Sequence, residues 1–333
     1  MDIPPLAEVR RRTEKKRDAW WTVLLVDPVA TPLVRWTAKW TRVTPNQITW
    51  AALVLGIGAA ACFAQGEWLW LVVGAAVYHV SFILDCMDGK LARLTGNGSE
   101  FGAWLDYVFD RIRVLICAIA LMSGQYERTG EVAYVWLALV VVFLDALRYI
   151  DALQIFKVRQ GMRAKLRQAA EEVAEVTQVP APQQGLAERI AAEARDEPAG
   201  FEAVEEDKAE GGSSAGKADA PALGVVTQQS FLRRFTHYAK IRDFLINHRI
   251  RTHLVSGIEF QMAVFIIGPL VGAIMGVTIV AGALLVLFEL AIIYKLMLST
   301  RDFERAMASY NRILADPAPT VPEQVAVRAP ADA

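Results

Sequence analysis

The chain has 333 residues, of which 54% are hydrophobic and 21% charged, with a formal net charge of −1. That apolar content is above what a soluble domain of this length carries. The total charge by itself says nothing about nucleic acid, which is not expected as a partner; the distribution of charge along the chain is what matters. Cys62, Cys86 and Cys117 fall in apolar runs without disulfide or metal-ligand spacing. His79, His237, His248 and His253 are scattered, with none paired at i, i+4, which argues against a histidine metal site.

Residues 1–44 read as a cytosolic, basic N-terminus followed by a helix over about 18–42. There Trp20, Trp21, Trp36 and Trp40 mix with Arg35, Lys39 and Arg42, which suits an amphipathic helix in the headgroup layer. The competing reading, a membrane span over 19–35, must bury Asp27 and accommodate Pro28 and Pro32. The same stretch has no small-residue cleavage signature, so a removed signal peptide is not expected.

Six transmembrane helices are expected at about 47–65, 67–91, 102–123, 132–154, 252–272 and 274–298, from long apolar runs. The last two are separated by little more than Gly272 and form a tight hairpin. Spans one to four fill 45–156, and spans five and six fill 241–300. Between them, 157–240 opens with a charged, alanine-rich helical extension of span four (Gln160–Gln178). It continues as a Pro-, Gly- and Glu-rich cytosolic insertion, read from composition as largely disordered. Residues 301–333 form a cytosolic tail. The fold class is therefore all-α integral membrane, six transmembrane helices preceded by an amphipathic interfacial helix. Basic residues crowd one set of flanks (Arg10–Arg12, Lys15–Arg17, Lys90, Arg93, Lys157, Arg249, Arg251, Arg301), whereas the opposite set holds Arg128 alone. By the positive-inside rule both termini then face the cytosol of a multi-pass cell-membrane protein.

Asp85, Asp88, Gly89 and Ala92 share one face of span two, and Gly102, Asp106 and Asp110, spaced by fours, share one face of span three. The short loop 94–101 makes these helices antiparallel neighbours, so the two carboxylate faces converge. Four carboxylates near a bilayer cannot all stay ionised without a cation among them. Hard divalent ions prefer oxygen ligands, and two Mg²⁺ or Mn²⁺ would accept four carboxylates and phosphate oxygens. Such a pair clamps a pyrophosphate and helps activate a hydroxyl. Gly89 and Gly102 leave space for a substrate, and Arg93 offers a fixed cation for a phosphate or for one of the aspartates.

These residues match, position for position, D-x2-D-G-x2-A-R, eight residues, G-x3-D-x3-D, and so the chain resembles the CDP-alcohol phosphotransferase family over about 1–156 and 235–300. The Thr44-Pro45-Asn46-Gln47-Ile48-Thr49 entry to span one is similar as well. The resemblance implies that Asp85, Asp88, Asp106 and Asp110 bind two divalent metals and that Asp110 is also the general base. It further implies that Gly89, Ala92 and Gly102 line the CDP pocket with Asp85 and Asp88. The implied reaction displaces CMP from a CDP-linked alcohol by a second alcohol, forming a phosphodiester in phospholipid or related biosynthesis. A homodimer formed through the spans is a further family expectation.

Several polar residues at the same depth are candidates for the acceptor or its phosphate: Arg111, Arg148, Arg249, Arg251 and Glu259. Arg113, two residues beyond Arg111, is a further candidate. Asp145 and Arg148 stand at i, i+3 and either neutralise each other or leave Arg148 for a phosphate. Glu259 either bonds a hydroxyl-rich acceptor or pairs with an arginine of span four, and Glu289 in span six takes no assignment. The donor is CDP-diacylglycerol or a CDP-linked polar alcohol such as CDP-inositol. A Mg²⁺-dependent membrane prenyltransferase would place its aspartate motifs on distant helices, and a non-enzymatic metal or ion carrier would place carboxylates at mid-span.

Overall fold

The computed structural model describes residues 4–177, 244–245, 248–251 and 254–315. The segment 178–243 and the residues after 315, which carry most of the expected insertion and the end of the tail, lie outside the described residues. All regular structure among the described residues is helical, apart from one parallel bridge between Asp18 and Ile250.

In chain order the helices are α1 (Leu6–Thr13), α2 (Asp27–Trp40, entered through a π-helical turn at Thr22–Val26) and α3 (Pro45–Ala64). Then come α4 (Trp68–Thr95), α5 (Glu100–Thr129) and α6 (Ala133–Thr177). The last two are α7 (Gly257–Val271) and α8 (Ile274–Ala315). Local chemistry sets the ends. Thr44 and Gln47 close a capping box around Pro45 at the start of α3, and Ser99 accepts the Gly102 N–H at 3.0 Å to open α5. Gly96, at φ 68°, stops α4 and turns the chain back, and Gly272, at φ 71°, does the same between α7 and α8.

The chain divides into two compact units. The first holds residues up to Leu153 together with the described residues from 244 to Ile292. Its centre is the α3–α4–α5 bundle, where α3 and α5 approach closely at Gly124: a Cβ there would stand 2.6 Å from the Phe63 carbonyl oxygen and 2.8 Å from that of Ala64. Phe63, Tyr78, Cys117 and Leu121 are wholly enclosed, and the Phe265 ring of α7 lies 4.8 Å from that of Tyr78. The second unit holds Gln154 onward of α6 and Ile293 onward of α8. Within it Ile155, Met162, Leu166, Ala169 and Val173 are buried at helical spacing.

Four helices are long and apolar enough to cross a membrane: α3, α4, α6 and α8. Their outer faces are apolar as well; Trp136 is 65% exposed, Phe143 62% and Leu287 61%. Large exposed apolar faces on buried-length helices belong in lipid rather than water, so this is a membrane protein. The other two of the six expected spans are not among these four: α5 carries Asp106, Asp110, Arg111 and Arg113 in its first half, and α7 has only 15 residues. The helices also outrun the hydropathy boundaries: α8 continues to Ala315 and α6 to Thr177, and neither polar extension contains a proline. The segment expected as one amphipathic helix over 18–42 is a bridge, a π-helical turn and then α2. In α2, Asp27, Ala30, Thr31 and Val34 are buried while Trp36 and Trp40 are exposed.

Candidate active site

Asp85 and Asp88 come from the C-terminal half of α4, and Asp106 and Asp110 from the first half of α5. The tight turn at Gly96–Ser99 sets these stretches side by side, so that Asp85 of α4 and Asp110 of α5 share the guanidinium of Arg113. Each carboxylate is held differently. Asp88, 5% exposed, accepts the Thr49 hydroxyl from α3 at 2.5 Å and the Gly89 N–H at 2.5 Å. Asp85 accepts from Arg113 at 3.0 Å, and Asp110 accepts from the same guanidinium. Asp106 Oδ1 is buried without a hydrogen-bond partner. A buried carboxylate oxygen left orphaned is costly unless something cationic or protic meets it.

The donor set, four carboxylates and no sulfur or imidazole, fits a hard divalent cation. Among the described residues, however, no three His, Cys, Asp or Glu side chains converge in ligating geometry. Two of the four aspartates are instead turned onto Arg113.

The small residues are placed as follows. A Cβ at Gly89 would meet only the Arg93 guanidinium, at 3.5 Å, so that face of α4 is open. A Cβ at Gly102 would stand 2.7 Å from Asn46 Oδ1 and 3.1 Å from Ser99 Oγ, so the space is used by Asn46 of the α3 entry. Ala92 lies 3.8 Å from the position of a Cβ at Gly98. Arg93 Nε donates to the Thr13 carbonyl at 3.1 Å, tying the end of α4 to α1.

The other polar candidates form two groups. Arg111 donates to Asp145 of α6, whose other oxygen accepts from Gln261 of α7 at 2.7 Å. Its guanidinium also lies 5.4 Å from the centroid of Tyr149, on which Tyr107 stacks at 4.3 Å. Arg148 pairs with Glu289 of α8 at 2.8 Å and is 6% exposed. Asp145 and Arg148 therefore do not neutralise each other; each meets a partner from another helix, and Glu289 gains the assignment it lacked. Glu259 caps its own helix, accepting from the Ser256 N–H at 3.0 Å and hydroxyl at 2.5 Å, and among the described residues it pairs with no arginine of α6.

Arg249 and Arg251 belong to a clasp on the N-terminal segment. Arg251 pairs with Asp18 at 2.9 Å. Arg249, with φ 61°, pairs with Glu14 at 2.7 Å and Asp27 at 3.3 Å and donates to the Lys15 carbonyl. Asp27 also takes Lys90 of α4 at 2.6 Å. Burial lowers the pKa of the Lys15 ammonium in the same cluster. The buried Asp27 that seemed prohibitive in sequence is thus paired twice.

Sequence reasoning missed Thr49 and the bridging role of Arg113. Each left a signal: Arg113 follows Asp110 by one helical turn, and Thr49 lies four residues after the Pro45 that opens α3.

Packed apolar helices thus carry four aspartates at one hairpin, between α4 and α5. Residues 42–179 match the family model described as CDP-alcohol phosphatidyltransferase, a stretch that contains all four aspartates and Thr49. The chain is similar to the phosphatidylinositol phosphate synthase of Corynebacterium glutamicum, 34% identical over 90 residues, which is 27% of this chain and 37% of that protein. It is similar to the phosphatidylinositol phosphate synthase of Cutibacterium acnes, 34% identical over 99 residues, 29% of this chain and 43% of that protein. The archaetidylinositol phosphate synthase of Methanothermobacter thermautotrophicus is 31% identical over 81 residues, 24% of this chain and 40% of that protein. The matched segments thus cover 37% to 43% of these three relatives.

Proposed function

We propose that the protein is a membrane CDP-alcohol phosphotransferase. The acceptor hydroxyl gives its proton to Asp110, and its oxygen bonds to the phosphorus that carries the donor alcohol. The pyrophosphate bridge breaks, and CMP leaves with the bridging oxygen. Asp85, Asp88, Asp106 and Asp110 would hold two Mg²⁺ or Mn²⁺ ions, which when bound supply charge neutralisation for the pyrophosphate and the departing CMP. The observation that carries this reading is that Asp85 of α4 and Asp110 of α5 are held to one guanidinium, that of Arg113, with Asp106 Oδ1 one turn away on α5 buried and unpartnered.

Asp88 is oriented by Thr49, and the open face at Gly89 gives the CDP group room beside Arg93. The relatives' names favour a phosphorylated inositol as acceptor and CDP-diacylglycerol as donor; the alternative is a CDP-linked polar alcohol such as CDP-inositol. All four arginine candidates are ion-paired, Arg111 with Asp145, Arg148 with Glu289, Arg249 with Glu14 and Asp27, and Arg251 with Asp18; Arg111, which also lies 3.8 Å from Asp110, is the acceptor-phosphate candidate nearest the aspartates. We place α5 and α7 with the four apolar helices as the remaining two of six spans. By its rise α7 is about 22 Å long, short for a hydrocarbon core of about 30 Å, and local thinning of the bilayer accommodates it. Both termini and the aspartates face the cytosol, with the exposed Trp36 and Trp40 of α2 in the headgroup layer.

The test is CMP release by the purified full-length protein with Mn²⁺, comparing CDP-diacylglycerol plus inositol phosphate with CDP-inositol plus a lipid alcohol. Release from the first pair alone supports the favoured reading. No release from any CDP-alcohol, with Asp110→Asn indistinguishable from the unmodified protein, defeats the assignment.

A further inference from the structure

Arg113 is not part of the D-G-x2-A-R signature, yet it is the most enclosed cation at the centre, 3% exposed. Three helices build its seat. Its aliphatic stem crosses Gly56 of α3, where a Cβ would stand 2.8 Å from Cγ and 2.9 Å from Cδ. Its guanidinium carbon lies 5.9 Å from the Tyr78 ring centroid of α4. Beyond the ring, its two terminal nitrogens separate: Nη1 donates to Asp85 of α4 at 3.0 Å and Nη2 to Asp110 of α5.

Burying a guanidinium has a large desolvation cost, which only close anions offset. Here those anions are one carboxylate from each helix of the hairpin. The planar fork can hold both at once, which a point-charge ammonium cannot. Four adjacent carboxylates repel one another, and the other nearby arginine, Arg111, hydrogen-bonds Asp145 of α6 and reaches Asp110 only at 3.8 Å, without touching a carboxylate of α4. Before any divalent ion enters, Arg113 therefore carries the neutralisation between α4 and α5.

We propose that Arg113 is a positioning residue, a resident counter-cation that keeps Asp85 and Asp110 together in the metal-free protein, with Gly56 as the slot that admits it. The inference rests on the metal-site reading above. It assigns Arg113 no contact with substrate; it acts through the two aspartates.

The experiment is thermal unfolding of the full-length protein in detergent micelles, in EDTA and in saturating Mn²⁺. The unmodified protein is expected to melt higher with Mn²⁺. Arg113→Gln is expected to lower Tm by about 5 °C or more in EDTA beyond its effect in Mn²⁺, because the ions replace the lost charge. Arg113→Lys should fall between. Gly56→Ala, which keeps the arginine but crowds its stem, should show the same EDTA-selective loss, and it carries the comparison if Arg113→Gln does not fold. Equal losses in both conditions for Arg113→Lys and Gly56→Ala would make Arg113 a packing residue and overturn the proposal. An unmodified protein whose Tm ignores Mn²⁺ would instead remove the metal-site reading on which the proposal rests.

Discussion

The hydroxyl of Thr49 lies 2.5 Å from Asp88 Oδ2, joining the first turns of α3 to the acidic face of α4. It fixes which way a buried carboxylate points, and it does so from a helix that contributes no acidic residue to the centre.

Replacing Thr49 with valine keeps the shape and removes the donor. A hydrogen bond to a charged group is worth about 1.5–3 kcal/mol, so CMP release is expected to fall by about 10- to 100-fold, with Thr49→Ser retaining most of it. Steady-state kinetics of the two variants provides the check; equal rates for Thr49→Val and the unmodified protein would show that Asp88 needs no help from α3.

Asp106 offers an orphaned oxygen rather than an ion pair. Asp106→Asn is expected to reduce CMP release by at least about 100-fold, while Tm in EDTA holds or rises because one of four like charges is gone. Paired turnover and melting measurements test both halves. A steep fall in Tm with activity preserved would make this carboxylate structural.

At Gly124 the opposing atoms are backbone carbonyls of α3, which cannot move aside as a side-chain tip can. Gly124→Val should force α3 and α5 apart at a cost of about 1–3 kcal/mol or more, seen as a lower Tm in both EDTA and Mn²⁺. The folded fraction is expected to keep an unaltered Mn²⁺ requirement, since the contact lies at the other end of α5 from the aspartates.

Asp27 holds two cations, Lys90 and Arg249. Lys90→Met leaves it one partner, whereas Asp27→Ala strands two buried or half-buried cations. Breaking such a pair from one side costs about 3–5 kcal/mol, so Asp27→Ala is expected to destabilise more than Lys90→Met. The order of the two melting temperatures decides; the reverse order would mean that Arg249 is satisfied by Glu14 and the Lys15 carbonyl alone.

Much of the centre was legible before any coordinates. Spacings of three and four put Asp85 with Asp88, and Asp106 with Asp110, on single helical faces, and an eight-residue connection allowed only an antiparallel hairpin. Apolar runs marked α3, α4, α6 and α8, and Gly272 marked the α7–α8 turn. Legibility ended where polar residues extended helices beyond their apolar stretch, as in α8, because hydropathy reports the solvent around a helix and not its hydrogen bonds. It ended also at Asp27, whose burial seemed prohibitive because Lys90 and Arg249 stand 63 and 222 residues away.

The sequence alone determined which carboxylates share a face and that the chain lives in a membrane, because helical period and apolar length are local properties. Only the tertiary structure decided which cation meets which anion: Arg113 with Asp85 and Asp110, Arg111 with Asp145, Arg148 with Glu289, Arg249 with Glu14. Periodicity fixes a residue's angle around its own helix. It does not fix how that helix is rotated against its neighbours, which depends on contacts such as Gly56 beneath Arg113 and Gly124 against Phe63.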